Sequence, residues 1–151
     1  MSVTTATATV DREGDLIAIV RQFVGAQETA TAGGVKSPED YDAMGEFVAV
    51  DEFKRVGAYL EELDWRSYLK FLAGWGEGTR FEFTEFHITE AGNAVFQEIE
   101  ERHYRGDEFI RKNVIAVYRF NADNKINHLD IYEQATDSGQ WIAKAANRAT
   151  S

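Results

Sequence analysis

Two stretches of the chain set acids and imidazoles at every second position among apolar residues. One is Val95, Gln97, Ile99, Glu101 and His103, and the other is Ile126, His128, Asp130 and Tyr132. Successive β-strand residues face opposite ways, so each set shares one face of a strand. With Val95 and Ile99 turned inward, Glu101 and His103 point to the protein interior, and Ile126 carries Asp130 inward in the same way. A carboxylate enclosed by aromatic walls is poorly solvated, which favours its protonated form and lets it exchange protons near neutral pH. Two such groups side by side cannot both ionise at low cost, so one serves as acid and the other as base. The chemistry this implies is general acid–base catalysis: protonating a leaving oxygen, activating a water, or removing a proton next to a carbonyl. Asp130 is the expected primary acid or base, Glu101 its partner and His103 a proton relay. The plainer alternative is that Glu101 and Asp130 are surface acids neutralised by arginines such as Arg102 and Arg119.

The elements that must position these residues follow from hydrophobic periodicity. Leu16, Ile17, Val20, Phe23 and Val24 fit one face of a helix running from Asp11 toward Thr29. Ser37-Pro38 opens a second helix with Tyr41, Met44, Phe47 and Val48 on its buried stripe. Asp64 caps a third, whose Trp65, Tyr68, Leu69, Leu72 and Trp75 share a face. Residues 48–59 hold one or two short strands. After Arg80 the period falls to two, and the spacing predicts strands over 80–88, 94–104, 108–121 and 125–134. Their connections are short enough to require antiparallel neighbours. Helices first and a meander afterwards make an α+β domain, a curved antiparallel sheet wrapped around three N-terminal helices. Residues 1–10 are expected to form a disordered tail, 11–135 the single domain and 136–151 a C-terminal extension. Tyr118, Tyr132, Trp65, Tyr68, Ile99, Val114 and Ala116 are the expected walls of an apolar pocket and the expected substrate contacts.

Composition narrows the partners. Lys+Arg 16 against Asp+Glu 26 give a formal net charge of −10. That balance repels phosphate backbones and anionic lipid, so neither nucleic acid nor membrane is an expected partner. With no cysteine, disulfides, thiol catalysis and cysteine-ligated metals are excluded. The histidines at 87, 103 and 128 lack paired spacing, and no Walker loop, GxGxxG or GxSxG occurs. Neither a metal nor a nicotinamide or flavin cofactor is therefore expected. The N-terminal residues show no basic region followed by an apolar stretch, and no run approaches the roughly 18 apolar residues of a membrane span. A cytoplasmic location is the expectation.

The order helix, helix, short strands, helix and long meander resembles the nuclear-transport-factor-2-like superfamily. The residues that carry the resemblance are Phe86-His87-Ile88, Val95-Phe96-Gln97-Glu98-Ile99-Glu100-Glu101, Val117-Tyr118-Arg119-Phe120-Asn121 and Lys125 through Glu133. Within that superfamily the chain is similar to the branch of SnoaL-type polyketide cyclases, limonene-epoxide hydrolases and ketosteroid isomerases, over about residues 10–135. The resemblance implies a cystatin-like cone with an internal apolar pocket. It puts Asp130 at the last-strand Asp of the limonene-epoxide hydrolases and Glu101 where their other Asp would be. Ile99 occupies the place of their essential Arg, and Phe53 and Arg55 replace the Tyr and Asn that help to hold the attacking water. Arg55 is thereby the residue that could supply the missing cation. The proton-donating acid of the ketosteroid isomerase oxyanion hole falls at Ala116.

Residues and resemblance together lead to a cofactor-independent isomerase, cyclase, dehydratase or lyase acting on a small hydrophobic oxygenated substrate. Epoxide hydrolysis ranks below these because of Ile99. The alternative from another class is a non-catalytic module for ligand binding or dimerisation. A homodimer through the outer sheet face, with Phe96 and Tyr104 in the contact, is expected in either case.

Overall fold

Helix α1 (Asp15–Ala32) forms where Leu16, Ile17, Val20 and Phe23 recur on one face, and all four are buried. Its N-cap, Gly14, has no side chain with which to accept the first free N–H groups. Glu90 supplies the acceptor from a strand: its Oε1 takes the Ile17 N–H at 3.3 Å, in a residue only 1% exposed. An acceptor oxygen there also suits the positive end of the helix dipole. The computed structural model that displays this arrangement describes residues 14–135. The expected tail 1–10 and extension 136–151 lie outside the described residues.

The segment opened by Ser37-Pro38 is a 3₁₀ helix (Pro38–Phe47) rather than an α-helix. Tyr41, Met44 and Phe47 are spaced by three, and three residues per turn stacks them on one side. Tyr41 and Met44 are fully buried and Phe47 packs against the core. The Asp40 carboxylate accepts the backbone N–H groups of Lys36 and Ser37, which holds its pKa below the usual range. Helix α2 (Trp65–Gly76) begins where the Asp64 side chain accepts the Ser67 N–H at 2.8 Å. It ends at Gly76, where a Cβ would stand 2.2 Å from the Tyr41 hydroxyl, so only glycine admits that contact.

The strands are β1 (Lys54–Val56), β2 (Glu62–Leu63), β3 (Arg80–Ala91), β4 (Ala94–Arg105), β5 (Glu108–Phe120) and β6 (Ile126–Gln134). They form one sheet in the order β2-β1-β6-β5-β4-β3. The four long strands make the expected antiparallel meander, and β1 joins β6 in parallel, so the sheet is mixed. Gly92 and Gly106 turn the first two hairpins at φ 61° and 57°. The α+β class and the wrapped helices are as the sequence implies.

Register settles which side chains enter the core. Val95, Tyr118, Leu129 and Arg55 lie opposite one another in one row, and Gln97, Ala116 and Ile131 in the next. Ile99, Val114 and Glu133 follow, then Glu101 with Lys112 and His103 with Ile110. Glu101 and His103 therefore face inward as expected. Asp130 does not. Arg119 pairs with His128 but the next residue, Phe120, pairs with Ile126. Asn127 is the extra residue of a β-bulge, and it reverses the face of everything on one side of it. Ile126 is fully buried, while His128, Asp130 and Tyr132 share the outer face, where Asp130 meets Arg119 at 3.3 Å and His128 at 2.9 Å.

Replacing a fully buried Ile costs about 2–5 kcal/mol. Ile126→Ala is expected to lose an amount in that range in urea unfolding. A loss below about 1 kcal/mol would contradict the burial of Ile126 and the register that places it inside.

Candidate active site

Between the inner sheet face and helices α1 and α2 lies a cavity of about 120 Å³. That is room for about four waters at their liquid volume. Tyr68, Phe71 and Trp75 from α2, Phe81 and Phe83 from β3 and Tyr118 from β5 make its walls aromatic. Gln27, Arg55, Gln97, Glu101, His103, Lys112 and Glu133 bring polar groups to it, and most of them are tied.

Glu101 and His103 sit two residues apart on β4 and leave the same face. Glu101 Oε1 is 2.9 Å from His103 Nε2, and the Trp75 indole N–H donates to His103 Nδ1 at 2.8 Å. An indole nitrogen can only donate. Nδ1 is therefore the acceptor, and the network assigns the ring hydrogen to Nε2, which donates to the Glu101 carboxylate. Phe81 and Trp75 flank the imidazole, with ring centroids 5.1 and 5.6 Å away. Glu101 Oε2 has no hydrogen-bond partner among the described residues.

A second chain fixes the opposite wall. Arg21 bonds Glu85 at 2.7 Å, the Gln97 amide donates to Glu85 at 3.1 Å, and the Tyr118 hydroxyl donates to the Gln97 carbonyl at 3.3 Å. Burial pushes the Tyr118 hydroxyl far above the usual phenol range. Burial likewise pushes Tyr68 up to about 12, with the neighbouring Arg55 cation pulling the other way. Both hydroxyls keep their protons at neutral pH.

Arg55 extends from β1 over the rings of Tyr68 and Phe71, its Cζ 5.4 and 4.9 Å from their centroids. Lys112 Nζ stands 3.4 Å from both carboxylate oxygens of Glu133.

Of the residues expected from sequence, Glu101, His103, Tyr68, Tyr118, Ile99, Ala116 and Arg55 meet around this cavity. Asp130 and Tyr132 are excluded by the bulge and face outward. Trp65 packs behind Tyr68 against Phe23 and Phe53 and does not line the cavity. Val114 faces inward but is not one of the cavity's walls. The acid that β6 does bring in is Glu133, legible as a residue sharing the parity of Leu129 and Ile131. The role of Trp75 was not legible, because an indole on a buried helix stripe is first of all core. Among the described residues no three His, Asp or Glu side chains converge as a metal ion would need, and no helix is long and apolar enough to cross a membrane.

No family model matches the chain, and a search of curated proteins finds no match. Solved structures do match. An LEH-like epoxide hydrolase from M. tuberculosis superposes with TM-score 0.64 at 19% identity, over 90% of this chain and 96% of that one. The BvnE pinacolase of Penicillium brevicompactum gives TM-score 0.64 at 14% identity, over 89% and 94%. An NTF2-like protein of unknown function from an Exiguobacterium species gives 0.62 at 13% identity, over 77% and 98%. At such identities the likeness establishes the fold, which is NTF2-like.

Tyrosines of an unfolded chain ionise near 10, whereas Tyr68 keeps its proton up to about 12. Between those values the unfolded state binds fewer protons, so stability falls as pH rises. Urea unfolding at stepped alkaline pH is expected to show this fall, and Tyr68→Phe is expected to reduce it by about 2–3 kcal/mol. An unchanged fall in the variant contradicts the buried hydroxyl.

Proposed function

We propose that the protein is a cofactor-independent enzyme that moves a proton on a small, apolar, oxygenated molecule held in the cavity. The observation that carries this reading is the Trp75–His103–Glu101 chain, which delivers one oriented carboxylate oxygen into an aromatic enclosure. Glu101 acts as the base. His103 is a positioning residue, because both of its nitrogens are taken by Trp75 and Glu101. The Tyr68 hydroxyl, held neutral by burial, supplies a donor for oxygen charge that develops in the transition state.

One base that takes a proton and returns it suits enolisation, and with it isomerase, cyclase or lyase chemistry. Hydrolysis of an epoxide requires in addition an acid for the leaving oxygen. The expected acid, Asp130, lies on the other side of the sheet, and Glu133 has both oxygens turned to Lys112. Solved structures on this same fold include an LEH-like epoxide hydrolase, an epoxide hydrolase/cyclase-like enzyme and a pinacolase, so the fold itself accommodates each of these reaction types.

The outer sheet face supports a further proposal, a homodimer. Ile115 and Tyr132 are cross-strand neighbours there, 43% and 52% exposed, with Phe96 beside them at 38%. Glu100 with Arg102 and Arg111 adds charges of both signs, which a second copy can meet in reverse.

Two experiments check these readings. Deuterium uptake from D₂O into 2-tetralone and phenylpyruvate, followed by NMR, is expected to be catalysed for at least one of them. Glu101→Gln is expected to slow that uptake by about 10²–10⁴-fold with the fold intact. Uptake that survives the substitution removes Glu101 as the base, and binding without uptake favours a ligand-binding module. In sedimentation equilibrium the wild type is expected to be a dimer and Tyr132→Glu a monomer; a monomeric wild type contradicts the interface.

A further inference from the structure

The cavity leaves one charge poorly answered. Glu101 has His103, and Lys112 has Glu133. Arg55 has only a long ion pair to the half-exposed Glu61, although its own side chain is only 12% exposed. Its Nε and Nη1 are buried without a hydrogen-bond partner. Glu61 Oε2 stands 3.8 Å from Nη1, beyond hydrogen-bond reach, while Oε1 is occupied by the Tyr59 N–H at 3.0 Å. The aromatic faces of Tyr68 and Phe71 favour a cation, and the Tyr68 hydroxyl lies beside it, but Nε and Nη1 remain without a hydrogen bond. Burying a guanidinium in this state is costly, and a protein that needed only packing would be better served by Met or Leu.

The entrance has the same sign. The outer hollow shares Phe71, Trp75, His103 and Lys112 with the cavity, and its charged walls are Lys70, Arg105 and Lys112 against Glu108. On a chain of net charge −10, a cationic approach to a buried cation with unsatisfied nitrogens is a local reversal of the overall field.

We propose that the molecule bound in the cavity carries a carboxylate, seated on Arg55, with its apolar body against Tyr68, Phe71 and Trp75. A guanidinium presents its N–H groups in a planar fork that matches the two oxygens of a carboxylate, and here the desolvation has already been met in the folded protein. Glu101 in the same cavity repels a second anion, so the carboxylate lies at the Arg55 end and the uncharged reacting part lies at Glu101. The inference deepens the reading of this cavity as an acid–base site and is tested by binding alone.

The probes are 3-phenylpropanoate and 3-phenylpropanamide, equal in shape and different in charge, titrated by calorimetry. The wild type is expected to prefer the carboxylate by about tenfold or more. Arg55→Met is expected to bring the two within about twofold, and Glu101→Gln to keep the preference. In the wild type itself, the Arg55 Nε–H resonance is expected to move on adding the carboxylate and to stay with the amide, so the test does not depend on a variant that folds. Equal binding of the two probes, no binding of either at millimolar concentration, a preference that survives Arg55→Met, or an unmoved Arg55 signal overturns the proposal. A carboxylate preference without any proton exchange keeps Arg55 as the anchor and removes Glu101 as the base.

Discussion

The hydrogen bond from the Trp75 indole to His103 is the contact on which the cavity's chemistry depends. It joins the last turn of α2 to β4, and it decides which nitrogen of the imidazole faces Glu101. Much of the surrounding structure serves to hold α2 where that bond can form. Asp64 starts the helix, and Gly76 lets the Tyr41 hydroxyl close against its end. Arg105, two residues beyond His103 on the same strand, donates to the carbonyls of Gly74 and Trp75 and so binds the helix end to β4 a second time. Helix and strand are thus locked at two adjacent points, one of which orients the imidazole beside Glu101.

Around this lock the interior manages its polar groups strictly. Gln97, Glu85 and Arg21 run in a line behind Tyr118, so that its hydroxyl is held by a fixed carbonyl rather than by solvent. Burial then keeps the tyrosine hydroxyls protonated, and a neutral donor near a carboxylate acceptor is the arrangement that proton transfer at carbon requires. Among the described residues Arg55 and Glu90 depart from this economy, and of the two only Arg55 lines the cavity, which is why the proposed ligand is seated there.

The sequence made the helices, the meander and the inner face of β4 legible, because alternation and capping are local. Val95, Ile99, Glu101 and His103 share a parity that nothing interrupts. On β6 the same reasoning misplaced Asp130, since a bulge at Asn127 inserts one residue and turns Ile126 inward while its parity partners turn out. No composition signal announces that bulge; an isolated Asn before an imidazole reads as ordinary strand. The partnership of Trp75 with His103 was equally hidden, because it joins residues 28 positions apart through the docking of a helix on a sheet. The 3₁₀ form of 38–47 could have been read from Tyr41, Met44 and Phe47, whose spacing of three fits that helix better than an α-helix.

The central claim, that His103 presents Nε2–H to Glu101 because Trp75 occupies Nδ1, can be measured directly. A long-range ¹H–¹⁵N correlation spectrum distinguishes protonated from unprotonated imidazole nitrogens, and comparison with Trp75→Phe identifies the nitrogen that accepts the indole bond. A protonated Nε2 and an unprotonated, hydrogen-bonded Nδ1 are expected in the wild type, with the Nδ1 signal moving in the variant. A ring protonated at Nδ1 instead, or an Nδ1 signal indifferent to the loss of the indole, would contradict that claim.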